Sequence, residues 1–369
     1  MKKNKQKNKV NPDRMIQTIE ENFKSILSKP NLKNLALTTI AIAKAGKITI
    51  NEIARCLPTD VKNQKAKQTR LLRFLDNKLP LFYMTLFWAK FVLQRVCSSN
   101  TITILIDGIN LMYDYKAFIA AIPFRKRAIP IAFKVYTNQQ IRDMEYLSEN
   151  YIIWNFLDTV IDILKMTMSD RRFIFVFDRG FADEKLMRYM EYFSVDYVIR
   201  VPKNSGIVGM EYKGKLSSFG QRGYFKDMFY HIRERVKINL LSSENPSNKA
   251  DPFFVVSSVD DTIRMLYSKR MQIEECFRDI KSLFGFRKLV IKNTEQARFE
   301  LLLLLVIISM GMILILYEKS GYRWSKYYNK SCRKEYSLIR VIKEKLREFW
   351  ANLRLDPLFT LDYVCFYDV

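Results

Sequence analysis

A chain of 369 residues with 49% hydrophobic and 14% aromatic content has material for a substantial core. It is long enough for two or three structural units, because single cores rarely grow past about 250–300 residues. Its formal net charge of +24 calls for a polyanionic partner, nucleic acid being the common one and an anionic membrane surface the rival. The single histidine, His231, excludes multi-histidine metal sites and argues against a Ser-His-Asp triad. There is no G-x-x-x-x-G-K-[ST] loop, so no nucleotide cofactor is expected. Cys56, Cys97, Cys276, Cys332 and Cys365 form no C-x-x-C pair, which argues against a zinc ribbon or a disulfide framework and fits a reducing cytoplasm.

The charge is uneven, with 20 Lys/Arg against 6 Asp/Glu in residues 1–99. Residues 1–11 read as a polar, disordered tail with no apolar run behind it, so no secretory signal is expected. Residues 12–45 have helical periodicity, Gly46 interrupts, and Thr49 with Glu52 fits a capping box opening a short helix to Cys56. The stretch Lys62 to Asn77 predicts a further helix with Lys62, Lys65, Lys67, Arg70 and Arg73 on one broad side. Helix, turn, helix and basic helix is an order that suits reading of a DNA major groove. A solvated basic face on an ordinary helical domain is the competing account.

From residue 101 the pattern changes to strands. Residues 101–107 (TITILID) and 173–178 (FIFVFD) are apolar runs, each ending in a carboxylate. Between them, 115–122 and 129–136 predict two strands and 144–168 a long helix; 183–193 predicts a helix and 195–201 a fifth strand. Three strands, helix, strand, helix, strand is the order of a ribonuclease H-like core, an α/β class. Residues 202–261, with glycines from Gly206 to Gly223 and a Ser/Asn-rich run, predict a β-rich insertion; helix resumes from Thr262 to Phe284. Residues 301–317 are the most hydrophobic of the chain, slightly short of the roughly 20 residues that a membrane span wants. A helix buried against the sheet is expected there, with a membrane anchor as the alternative. Residues 318–350 predict basic helix.

Within 262–284, Tyr267, Arg270, Glu274, Arg278 and Lys281 share one helix face, beside an apolar stripe of Ile273, Phe277, Ile280 and Phe284. Spacing alone equally allows an exposed face with i,i+4 ion pairs such as Arg270–Glu274. At these residues the chain resembles a family of bacterial insertion-sequence transposases with the signature Y-x2-R-x3-E-x6-K, matched by Tyr267, Arg270, Glu274 and Lys281. The Asp-Arg-Gly-Phe run from Asp178 is similar to that family's second carboxylate motif. The strand ending in Asp107, with Arg127-Ala-Ile-Pro further on, resembles the first. Words such as the one opening at Ile53 resemble the cut-and-paste subgroup that moves tetracycline- and kanamycin-resistance transposons.

The resemblance implies a three-carboxylate (DDE) DNA transposase: a metal-dependent endonuclease and strand transferase on terminal inverted repeats. Asp107, Asp178 and Glu274 would be its catalytic residues and the ligands of two Mg²⁺ ions, with Mn²⁺ able to substitute. Tyr267, Arg270, Arg278, Lys281 and Arg200 would contact DNA, as would Lys62, Lys65, Arg70 and Arg73 of the basic helix. Related enzymes pass through a DNA hairpin and stack a flipped base on a Trp in a Glu-Pro-Trp run; here Asp251-Pro-Phe253 stands instead. Phe253 stacks with less surface than Trp, and the link to Tyr267 is shorter, so both departures bear on the hairpin step and not on nuclease chemistry; a core aromatic is the plainer account of Phe253. After Asp107 the chain has Gly-Ile-Asn where relatives often carry Thr or Ser. The expected organisation is a helical DNA-binding domain at 1–99, a ribonuclease H-like core at 100–294 with its insertion at about 202–261, and a helical, dimerising region at 295–369. A homodimer on paired transposon ends is expected, in the cytoplasm and away from membranes. Two rivals remain: a DNA-binding protein without catalysis, and a membrane-associated protein anchored by residues 301–317.

If the basic helix makes about 4–5 phosphate contacts, log K for duplex DNA falls against log[salt] with a slope of roughly −4. Neutralising Arg70 and Arg73 together is expected to flatten that slope by up to about 2 units. Titrations at several salt concentrations check this, and a salt-independent K contradicts it.

Overall fold

Isoleucine and phenylalanine fill the runs before the two aspartates, and in the computed structural model both runs are buried strands. Residues 12–112, 114–143, 148–209, 211–244, 252–260, 262–286, 296–328 and 338–353 are described, with the backbone alone at 318–328, 338 and 349–353. The chain divides into two compact units. One comprises Met1–Val96, Asn110–Tyr115 and Phe277–Val369; the other comprises Cys97–Ile109 and Lys116–Cys276.

The second unit is a mixed α/β layer on a ten-stranded sheet of order β3-β2-β1-β4-β5-β10-β9-β8-β6-β7. Its first strands are β1 (Thr101–Asn110), β2 (Tyr115–Phe124) and β3 (Arg127–Thr137). Arg125 and Lys126 turn β2 into β3 with φ of 50° and 68°, the left-handed pair that matches strand twist in a two-residue hairpin. Helices α6 (Asn138–Asp143) and α7 (Glu149–Met168) lead to β4 (Arg172–Phe177). Helix α8 (Glu184–Tyr192), capped by the Asp183 side chain on Lys185 N–H, leads to β5 (Asp196–Val201). Both β1–β4 and β4–β5 pair in parallel. This is the order that the alternating apolar runs predict, and the large mixed sheet fits a ribonuclease H-like core. The β-rich stretch after β5 is not a separate layer. Its strands β6 (Gly206–Gly209), β7 (Tyr212–Lys215), β8 (Gly223–Tyr230), β9 (Val236–Ser243) and β10 (Phe253–Ser257) extend the same sheet, because β10 pairs antiparallel with β5.

The helix expected from Thr262 to Phe284 is broken. Helix α9 (Ile263–Ser268) ends in a turn at Lys269 and Arg270, α10 (Met271–Arg278) follows, and a π-helical turn covers Asp279–Leu283. Helix α9 lies on β5, β10 and β4, and the unit boundary falls inside α10, after Cys276.

The first unit is helical: α1 (Asp13–Phe23), α2 (Lys29–Lys44), α3 (Ile50–Cys56), α4 (Gln64–Leu75), α5 (Leu81–Val96), α11 (Gln296–Tyr328) and α12 (Leu338–Leu353). The expected capping at Thr49 is present, its hydroxyl accepting the Glu52 N–H at 3.2 Å. Residues 12–45 form two helices rather than one. Helix α5, which no charge or motif signal marks, buries Trp88, Ala89 and Val92. The apolar run in α11 is long and hydrophobic enough to cross a membrane, yet 83% of its most apolar window is buried. The surfaces it packs on are chiefly helices, α12, α2 and α5, where the sequence reading expects the sheet. Helix α2 therefore shares a core with α11 and α12, and a fragment ending at residue 99 would expose that face. Salt titrations accordingly need the full chain.

Lys343 of α12 is buried in this core, donating to the Ile42 carbonyl at 3.3 Å and lying 4.1 Å from the Phe284 ring centre. Burial, reinforced by Arg347 and opposed by Cys56, pulls its pKa down from 10.5 to about 7. Between those values the unfolded chain binds the extra proton, so this residue's contribution to stability rises as pH goes from about 7 to 10.5. Lys343→Met is expected to stabilise the protein at pH 7 by up to about 4 kcal/mol, the advantage fading by pH 10. Urea midpoints at the two pH values check this; a gain independent of pH contradicts it.

Candidate active site

Parallel register brings the first two carboxylates together. Ile106 of β1 pairs with Phe177 of β4 as the last matched pair, so Asp107 and Asp178 follow it side by side where the two strands part; β4 ends at Phe177, whereas β1 runs on to Asn110, past the Asp107 at which the sequence predicts its end. Ligand sites in open α/β sheets lie at carboxyl ends such as that of β4. Asp107 accepts the Gly108 N–H at 2.8 Å, and Asp178 opens a 3₁₀ turn over Arg179–Phe181.

The break between α9 and α10 supplies the rest. Arg270 stands in the turn, its N–H bonded to the Tyr267 carbonyl at 3.0 Å. Its guanidinium reaches Asp178 at 3.1 Å, Asp107 at 3.5 Å and Glu274 at 2.5 Å. All three carboxylates predicted from the sequence thus converge on one cation. The Arg270–Glu274 pair is not a surface ion pair, since the Arg270 side chain is only 12% exposed. Tyr267, on the buried side of α9, donates its hydroxyl to Asp178 at 3.3 Å.

The electrostatics follow from burial. Burial raises the Asp107 pKa to about 6; Arg270 and the Gly108 N–H oppose this, while Asp178 and Glu274 add to it. Burial works against the Arg270 cation, but Asp178, Asp107, Tyr267 and Glu274 outweigh it and the net shift is upward. Burial, with Asp178 adding and Arg270 opposing, pushes the Tyr267 phenol up to about 12, so its hydroxyl stays a donor at neutral pH.

Phe253 begins β10 and meets Tyr267 edge to face, ring centres 5.1 Å apart; the Arg200 guanidinium lies 5.0 Å from the Phe253 ring centre. Arg200, Phe253 and Tyr267 therefore form a continuous row ending at Asp178. Two contacts escaped the sequence reading. Lys269, its pKa lowered by burial, donates to the Thr103 hydroxyl at 3.3 Å, and Glu275 pairs with Arg127. Both occupy unassigned positions beside signature residues, and neighbourhood in sequence was the available signal.

Arg278, exposed at the end of α10, and Lys281, half-buried in the π turn, belong to the helical unit. So do Lys62, Lys65 and Arg73, all exposed, and Arg70, whose Nε donates to Asn34 Oδ1 at 2.9 Å. Three carboxylates are the hard oxygen donors that Mg²⁺ prefers, and the donor set fits such an ion in kind. Among the described residues no three His, Cys, Asp or Glu side chains close into a ready-made metal cage.

Two carboxylates from neighbouring parallel strands and a third from a following helix are thus brought together on a large mixed sheet that fits a ribonuclease H-like core. The transposase DDE domain matches residues 120–310, more than half of the chain, and the protein belongs to that family. It is therefore a transposase acting on DNA. The matched region contains Asp178, Arg200, Phe253, Tyr267, Arg270, Glu274 and Lys281; Asp107 lies before it. No curated protein matches the chain.

Removing Arg270 leaves three neighbouring carboxylates without their shared cation. Asp178 and Glu274 are 33% and 41% exposed, which softens the loss. Arg270→Ala is expected to cost about 1–3 kcal/mol in EDTA, against about 0.3–0.5 for an exposed i,i+4 pair. Urea unfolding checks it, and a cost in the lower range contradicts the bridging role.

Proposed function

We propose that this chain excises and inserts an insertion sequence by cut-and-paste transposition, with Asp107, Asp178 and Glu274 as the catalytic carboxylates. The observation carrying the reading is the convergence of these three side chains, from two strands and a helix, on Arg270. Two Mg²⁺ or Mn²⁺ ions held by the carboxylates would activate the attacking oxygen and stabilise the departing one. In hydrolysis a water oxygen bonds to the phosphorus at the transposon end, the P–O3′ bond breaks, and the 3′-oxygen leaves as a hydroxyl. In strand transfer that 3′-hydroxyl attacks a target phosphodiester and releases a new 3′-hydroxyl.

The protein's own groups orient these steps. Arg270 presents a planar fork of donors beside the carboxylates, suited to a scissile phosphate. Tyr267, protonated at neutral pH, donates to Asp178 or to a phosphate oxygen. Lys281 and Arg278 take phosphates further along the end, and Lys62, Lys65, Arg70 and Arg73 bind duplex DNA. Arg200 and Phe253 form the platform for a flipped base if the second strand is cut through a hairpin, with 3′-hydroxyl attack on the opposite strand; the T-shaped contact with Tyr267 would hold the Phe253 ring in place for stacking. The acting form is a homodimer on paired ends, in the bacterial cytoplasm at the nucleoid.

Asp107→Ala, Asp178→Ala and Glu274→Ala are each expected to abolish Mg²⁺-dependent nicking of a transposon-end duplex while leaving duplex affinity within about threefold of wild type. Single-turnover nicking and a binding titration on each variant check this. Retained nicking in any variant removes that residue from the site.

A further inference from the structure

Two recesses on the helical unit share Asn34 and Arg70, and so run together as one cleft between α2 and α4. The larger, about 500 Å³, is lined by the small side chains of Ala66 and Thr69 between Lys65 and Arg73. The smaller, about 310 Å³, is lined by Lys29, Pro30 and Lys33. No Asp or Glu lines either among the described residues, and Lys29, Lys33, Lys65 and Arg73 are exposed. Helix stability does not account for Lys29 and Lys65, although Arg73, in the last turn of α4, also suits the helix dipole. Neither α2 nor α4 has an acid in its first turn, and Lys29 and Lys65 stand where the helix dipole disfavours positive charge. An anionic partner reverses that penalty.

The centre of the cleft has a different chemistry from its flanks. Arg70 is half-buried and its Nε donates to Asn34 Oδ1 at 2.9 Å. A cation that serves only a diffuse phosphate field has no need of a fixed plane. Engaging Nε fixes the guanidinium plane and leaves the two terminal nitrogens as parallel donors, the arrangement that meets guanine O6 and N7. Ala66 and Thr69 beside it are short enough to let α4 approach a groove floor, and their methyl groups suit a thymine methyl.

We propose that this cleft is a sequence-reading site for duplex DNA, in which Asn34 is a positioning residue for Arg70 and Lys29, Lys33, Lys65 and Arg73 hold the flanking phosphates. The proposal rests on the transposase reading and adds to it a base-reading pair and the α2 lysines.

The test uses the full-length protein and a random-sequence 30-bp duplex library, followed by titrations on the best-bound duplex. Wild type is expected to select a defined sequence. Arg70→Gln and Asn34→Ala should lose preference at the same base positions, with discrimination there falling about 10-fold or more. Asn34→Ala combined with Arg70→Gln should lose no more than Arg70→Gln alone. Lys29→Ala with Lys33→Ala should keep the selected sequence and flatten the salt slope by about 2 units. Unchanged selection and slope in these variants, with wild type still selecting a sequence, overturns the cleft and leaves the transposase reading standing. Equal selection of an RNA library overturns the duplex assignment. Failure of wild type to bind any duplex overturns both readings.

Discussion

One matched register sets the terms for the catalytic unit. Ile106 opposite Phe177 fixes Asp107 beside Asp178, and a slip of one residue would turn every side chain of the strand to the other face. Two carboxylates that close repel one another, and Asp107 shows the strain in a pKa raised to about 6 by burial and by its acidic neighbours. The guanidinium of Arg270 answers that repulsion within 3.5 Å of both aspartates. Its position depends on the helix break at Lys269 and Arg270, and through it the site depends on α9 lying flat on β4, β5 and β10.

The break has a further consequence. An unbroken helix would carry Tyr267, Arg270, Glu274, Arg278 and Lys281 on one face. With the turn inserted, Tyr267 drops to 8% exposure and lies against Phe253, while Arg270 leans back across all three acids. The polar residues of this segment therefore divide into two kinds of environment. Tyr267, Arg270 and Glu274 lie within the sheet unit; Arg278 and Lys281 fall in the helical unit, which carries most of the positive charge.

Much of this was legible in the sequence because its causes are local. Continuous apolar runs before Asp107 and Asp178 predict two buried strands, which form, although β1 runs on past Asp107 to Asn110, and Thr49 with Glu52 predicts a cap that forms as expected. The succession of strands and helices along the chain as far as β5 was legible from the same runs. The turn inside 262–284 was not legible, since Lys269 and Arg270 are both good helix formers and the aspartates that Arg270 meets there are distant in the sequence. Nor was the surface against which α11 is buried, because an evenly apolar helix carries no stripe that names its partner. The continuation of the sheet through β10 was hidden for a similar reason: strand pairing between distant segments leaves only burial in the sequence. The Asn34–Arg70 contact joins residues far apart in the chain, each unremarkable alone.

The central claim is that Asp107, Asp178 and Glu274 form one divalent-cation site served by Arg270. A crystal structure of the protein with a nicked transposon-end duplex and Mn²⁺, read by anomalous scattering, tests it most directly. The account predicts manganese peaks bounded by the carboxylates of Asp107, Asp178 and Glu274, with the Arg270 guanidinium on a phosphate of the cut strand. Manganese bound elsewhere, with Arg270 still paired to all three acids over bound DNA, would contradict it.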